Sequence, residues 1–196
     1  MTIDASIDEY QQLTREFTEA VNKMSFPAHD RLRIGAALLD QSHEHSVAIL
    51  VLLNHQCTGA AFALLRGQFE SVLRGFWILR CASDGQLERF KEDQIDLHSR
   101  EIIEDVEIAL GEQSSVLSEI KRRSWPALSS FVHGGFHQAV RRISGDSITP
   151  VYTDKEKLSL IKFSRFLYLL AAVETCYVGG DEESAIYWAE RYLGRD

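Results

Sequence analysis

Residues 61–82, AFALLRGQFESVLRGFWILRCA, decide how the chain is read. Phe62, Leu65, Phe69, Leu73, Phe76 and Trp77 recur at three- and four-residue intervals, the period of an α-helix. Arg66, Glu70 and Arg74 are set into that helix at i, i+4 and i+8 and therefore share one face. Their apolar surroundings predict a helix buried on most sides, and buried ions persist only when paired or put to use. A polar site is expected here.

The same period extends in both directions. Upstream, Ile7, Tyr10, Leu13, Phe17, Val21 and Met24 mark an amphipathic helix from Ile3, stopped at Ser25-Phe26-Pro27. Asp30 suits an N-cap, and residues 31–56 read as a core helix through Ile34, Leu38, Leu39, Val47, Leu50 and Leu53. At Cys57-Thr58-Gly59 the pattern fits either a bend or a continuous helix. Downstream, Ser83-Asp84-Gly85 is a stop and restart, followed by one amphipathic helix over 84–110 built on Leu87, Phe90, Leu97, Ile102, Val106 and Leu110. A short helix over 115–121 comes next. Ser124 caps another, with Pro126 in its first turn, and this helix carries SSFVHGGFHQAVRRI. Residues 144–154 read as a loop, 154–177 as a last core helix, and Asp181 as the cap of a terminal helix through Leu193. The expectation is one all-α domain over residues 1–196, a bundle of about six or seven helices.

The 196 residues are 45% hydrophobic and 26% charged, enough for one substantial core. A net charge of −8 argues against nucleic acid as a partner, since neutralising phosphates needs a basic field. Cys57, Cys81 and Cys176 are odd in number, have no C-x-x-C spacing and lie in apolar surroundings, so they read as buried thiols of a reducing, cytoplasmic compartment. The acidic start TIDASIDEY lacks the pattern of a signal peptide, and VAILVLL is too short to span a bilayer. No membrane association is expected.

Two segments, ALLRGQFESVLRGFWILRCASDGQLERFKED and SSFVHGGFHQAVRR, with DRLRIGAALLDQSHEHSVAI upstream, resemble a bacterial family of all-helical proteins of unknown function. The resemblance spans roughly residues 28–175. It implies a helical fold, a bacterial cytoplasmic origin and a signature of Arg66, Glu70, Arg74, Trp77, Phe90, Asp93, His133, Gln138 and Arg141. The chain is also distantly similar to nucleotide-binding helical (HEPN-like) domains, several of which cleave RNA. Their motif of an Arg and a His separated by four to six residues is missing: Arg89 to His98 is too long, and no Arg precedes His133 at that distance.

The candidate polar or ligand-binding cluster is Arg66, Glu70, Arg74, His133, His137, Gln138 and Arg141. Guanidinium forks match carboxylate and phosphate oxygens, and two Arg flanking one Glu leave a cation free for another anion. The alternative is a structural ion-pair network joined by Glu174. His133 and His137 have the i, i+4 spacing of a metal pair but lack the rest of a zinc motif, so they read as hydrogen-bonding core residues and no metal or cofactor is expected. Gly134 and Gly135 imply a close backbone approach. His43-Glu44-His45 is placed partly on the surface, and the tryptophans are read as packing residues.

Two functions remain open. One is a non-catalytic helical binding or interaction protein of the cytoplasm, in bacterial stress or defence. The other is an enzyme or sensor that binds nucleotide or phosphate through Arg66, Arg74 and Arg141 while Glu70 and His133 handle protons. An open cleft against a dry core separates them. A homodimer is expected from the apolar face of the first helix and the aromatic tail Ile186, Tyr187, Trp188, Tyr192 and Leu193.

Overall fold

The computed structural model describes residues 2–94, 99–109, 111 and 116–194, and among these the chain forms nine helices and one two-stranded hairpin. The all-α class is as expected. The helix count exceeds six or seven because two segments read as single helices are each interrupted, while the short helix expected over 115–121 and the one expected from a Ser124 cap are one continuous helix over Val116–Val132.

Two long helices, α2 (Asp30–Asn54) and α3 (Thr58–Arg80), pack side by side in opposite directions. Their link is a break rather than a continuous helix: Gln56 takes a left-handed φ of 57°. Asp30 is the first helical residue and His29 the cap. Glycines permit the close approach. A Cβ on Gly35 would stand 2.4 Å from Leu79 Cγ, and one on Gly75 would stand 2.9 Å from Leu39 Cδ2. Deeper in the same seam, the Gln68 amide donates to Ser46 Oγ at 2.7 Å and to the Ser164 carbonyl at 2.9 Å. Ser164 lies on α8 (Asp154–Val178), and its hydroxyl meets that of Tyr10 on α1 (Ile3–Val21) at 3.1 Å. These four side chains are fully buried, so one polar knot ties four helices. Burial pushes the Tyr10 hydroxyl far above its ordinary pKa.

Local signals set the ends of these helices. The Thr2 hydroxyl accepts from the Ala5 N–H at the start of α1. Reciprocal capping boxes, Ser83 with Gln86 and Thr153 with Glu156, open α4 (Asp84–Lys91) and α8. Helix α9 (Glu182–Tyr192) folds back on α8 and buries Trp188 against Phe17, ring centroids 5.2 Å apart. Trp188 and the apolar face of α1 thus serve the chain's own core, leaving Ile186, Tyr187 and Leu193 exposed.

On the other flank, α3 packs against α5 (Ser99–Ala109) and α6 (Val116–Val132). The segment expected as one helix over 84–110 is two, with Asp93 at φ 54° after α4; Leu97 and Leu110 lie outside the described residues. Helix α6 runs through Pro126, which sequence reasoning had placed in a first turn. Both Pro126 and Arg122 are exposed, so the carbonyl that loses its partner lies on the wet side. The HGGF segment breaks this helix. Gly134 is left-handed at φ 65°, and the Gly135 N–H bonds the Ser130 carbonyl five residues back. A short α7 (Phe136–Val140) follows. Within the expected loop stands a hairpin of β1 (Ile143–Ser144) and β2 (Ser147–Ile148), with Ile143 opposite Ile148 and Gly145 at positive φ in its turn.

His43 turns inward, its ring centroid 4.6 Å from those of both Phe17 and Tyr168. Cys176 is buried and its thiol is pushed up to about 12, while Cys81 is half-buried and pushed up to about 11. Cys57, expected to be buried, is exposed at the interhelical turn. Among the described residues no helix is long and apolar enough to cross a membrane.

Two tests follow from this packing. Gly35→Ala forces Leu79 off its position and lowers stability by about 1–3 kcal/mol in denaturant unfolding, despite alanine's better helix propensity; an unchanged midpoint would deny the close approach. Burial lowers the His43 imidazole from 6.5 to about 3. Between those values the unfolded chain binds one more proton than the folded one. Stability therefore falls as the pH drops through that window, by up to about 1.4 kcal/mol per pH unit. His43→Phe should flatten this slope in urea midpoints measured from neutral pH downward.

Candidate functional site

The exposed edge of α3 presents Arg66, Glu70 and Arg74 one turn apart, facing α6. Trp125 and Ser129 on α6, with His133 at its C-terminal turn, repeat the same i, i+4, i+8 spacing opposite them. Arg66 is held on every side but one. Its Nε donates to Glu70 Oε1 at 3.0 Å, and its Nη1 donates to Ser129 Oγ and His133 Nε2, each at 3.1 Å. The guanidinium lies 4.5 Å from the Trp125 ring centroid. Since arginine only donates, His133 Nε2 is the acceptor and the ring's proton sits on Nδ1.

This face was expected to be buried; it is open. The Arg66 and Glu70 side chains are 20% and 34% exposed, and Arg74 is exposed. With Leu73, Ser99, Ile102 and Trp125 they line a cleft of about 210 Å³. Helices α5 and α6 cover the apolar residues of α3 and leave the charged edge at their seam, where the ions keep part of their hydration. Lys121 lies 5.3 Å from the Trp125 ring, and desolvation followed by the nearby charge of Arg100 lowers its pKa. Arg66 and Arg74 thus line the cleft with a single carboxylate, Glu70, a local positive excess in a chain of net charge −8.

The other predicted residues lie elsewhere. His137 is exposed on α7, so the break at Gly134 removes the shared helical face that an i, i+4 pair requires. Its backbone N–H donates to Ser130 Oγ, and Gln138 is half-buried on the same short helix. Arg141 pairs with Glu156. Nearer the start of α3, Phe62 stacks on Phe131 at 4.7 Å and on Tyr152 at 5.9 Å. Glu174, offered as a partner for the α3 cluster, instead receives Arg80 through two bonds of 2.8 and 2.6 Å. It is 4% exposed, and this clasp between α3 and α8 is where a carboxylate is truly buried. Among the described residues no group of three or more His, Cys, Asp or Glu gathers to hold a metal.

Sequence reasoning missed Ser129 and treated Trp125 as packing alone. Their four-residue spacing from His133 was the available signal. It became informative only once α6 was known to face α3.

Residues 39–192 match a family described as Family of unknown function (DUF6988), and the chain belongs to that family. No curated protein and no solved structure matches it.

The two ion pairs should respond differently to substitution. Glu70→Ala removes a partly solvated partner and costs at most about 1 kcal/mol. Arg80→Met strands the buried Glu174 carboxylate and costs about 3 kcal/mol. Thermal and denaturant unfolding of both variants checks the contrast, and equal losses would show that the cleft is as dry as the core.

Proposed function

We propose that the protein is a non-catalytic helical binding module whose α3–α6 cleft takes a small anionic ligand. One observation carries this reading: Arg66 is pre-organised by Glu70, Ser129, His133 and Trp125, while neighbouring Arg74 lines the same open cleft with no ion pair among the described residues. Fixing a guanidinium before the ligand arrives removes part of the ordering cost of binding. Binding is favoured over catalysis because Glu70 and the His133 Nε2 lone pair, the groups that would move a proton, are both engaged by Arg66. The hydrophobic core runs without interruption from α1 to α9, which supports reading residues 1–196 as one domain. A bacterial cytoplasmic setting, in stress or defence, belongs to the same proposal and rests on the family resemblance.

Isothermal titration with inorganic phosphate tests the cleft. Arg74→Gln should weaken binding by about tenfold while leaving the melting curve in place, since Arg74 is exposed. Equal affinity of both proteins would remove Arg74 from the site.

The homodimer retains one support, the exposed Tyr177 on α8, Ile186 and Tyr187 on α9, and Leu193 just after it. Trp188 is a core residue and no longer a useful probe of that surface. Sedimentation equilibrium should give twice 22.3 kDa for the natural sequence and 22.3 kDa for Ile186→Glu; a monomer in both refutes the dimer.

A further inference from the structure

The cleft constrains its ligand further. Arg66 has five N–H donors. The Nε donor is given to Glu70, and both donors of Nη1 are given to Ser129 and His133. The two on Nη2 have no partner among the described residues, but each shares its edge of the guanidinium with an engaged donor, so an anion that grips the Nε–Nη2 edge with two bonds must take Nε from Glu70. Arg74 adds a whole fork two turns along. Glu70 stands midway between them in sequence and, among the described residues, bonds Arg66 alone, through one oxygen. It thus holds a donor that an external anion would also seek.

Size and wall chemistry narrow the class. The cleft of about 210 Å³ admits a phosphate group with a short attachment. Leu73 and Ile102, the aliphatic lining, are each only 3% exposed, which leaves little apolar surface to receive a hydrocarbon tail. The Trp125 ring already carries Arg66 and Lys121, so no nucleobase seat is offered there. An incoming anion must outcompete one carboxylate for Arg66, which favours a group of higher charge than a carboxylate.

We propose that the cleft takes a compact phosphate dianion, free or as the head of a small ester, and that Glu70 is the internal counter-ion this ligand displaces from Arg66. The proposal rests on the anion-binding reading of the cleft. Glu70 then sets both affinity and selectivity. It keeps Arg66 oriented while the site is empty and repels singly charged or bulky competitors that cannot replace it.

Titration of inorganic phosphate, glycerol phosphate and adenosine monophosphate into the natural sequence and Glu70→Gln decides the matter, with Trp125 fluorescence as a second readout and Trp125→Phe as its control. The expected result is binding of phosphate and glycerol phosphate with similar affinity, about tenfold tighter in Glu70→Gln, because the like charge beside the ligand is gone. Adenosine monophosphate should bind no tighter than glycerol phosphate. Glu70→Ala should show the same gain, which separates lost charge from any effect of the new amide. Equal or weaker phosphate binding in both variants overturns the counter-ion role while leaving the cleft an anion site. Much tighter binding of adenosine monophosphate overturns the compact ligand. Failure of every anion to bind either protein overturns the reading of the cleft itself.

Discussion

The close approach of α2 and α3 is the constraint on which the remaining packing depends. Gly35 admits Leu79 and Gly75 admits Leu39, so these two long helices meet with almost no side chain between them at those points. Gln68 then reaches Ser46 and α8, and Tyr10 closes the knot from α1. Such a knot is costly if any member is unpaired, so it selects one relative placement of the four helices. With one side of α3 committed to α2 and α8, the other must take α5 and α6. The charged edge emerges where α6 meets it.

That geometry sorts four charges on α3 into two kinds. Arg80 reaches a carboxylate that the core encloses, and the Arg80–Glu174 clasp joins α3 to α8 through two short bonds. Arg66 and Glu70 meet in a seam open to water, where Coulomb attraction is screened and the pair contributes little to folding. The fixing of Arg66 by four neighbours, in a place where it contributes little to stability, is what supports the anion-binding proposal. The donor-only character of Arg66 and the exposed Arg74 point the same way.

His133 depends on a break in regular structure. The helix that delivers it ends one residue later at left-handed Gly134, and the chain turns away through Gly135 into α7 and the hairpin. His133 therefore joins the Arg66 cluster, while His137 and Gln138 lie on α7 beyond the break and Arg141 pairs with Glu156. The two glycines imply a close backbone approach when read as part of a helix. In the folded chain Gly134 ends the helix, and a Cβ on Gly135 would meet Ser130 Oγ at 2.5 Å.

Helical periodicity determined by itself that the protein is all-α, most of the residues that face the core, though not Val47, which is exposed, or His43, which turns inward, and that Arg66, Glu70 and Arg74 share an edge. These are properties of local register, set by 3.6 residues per turn and independent of what packs where. Register is silent about which helices become neighbours. Whether the α3 edge is wet or dry, whether Glu174 meets Arg66 or Arg80, and which of His133, His137 and Arg141 reaches the cluster were decided by tertiary structure alone. Burial and pairing belong to the space between elements, and that space exists only after the glycine-lined seam and the buried polar knot have set the helices against one another.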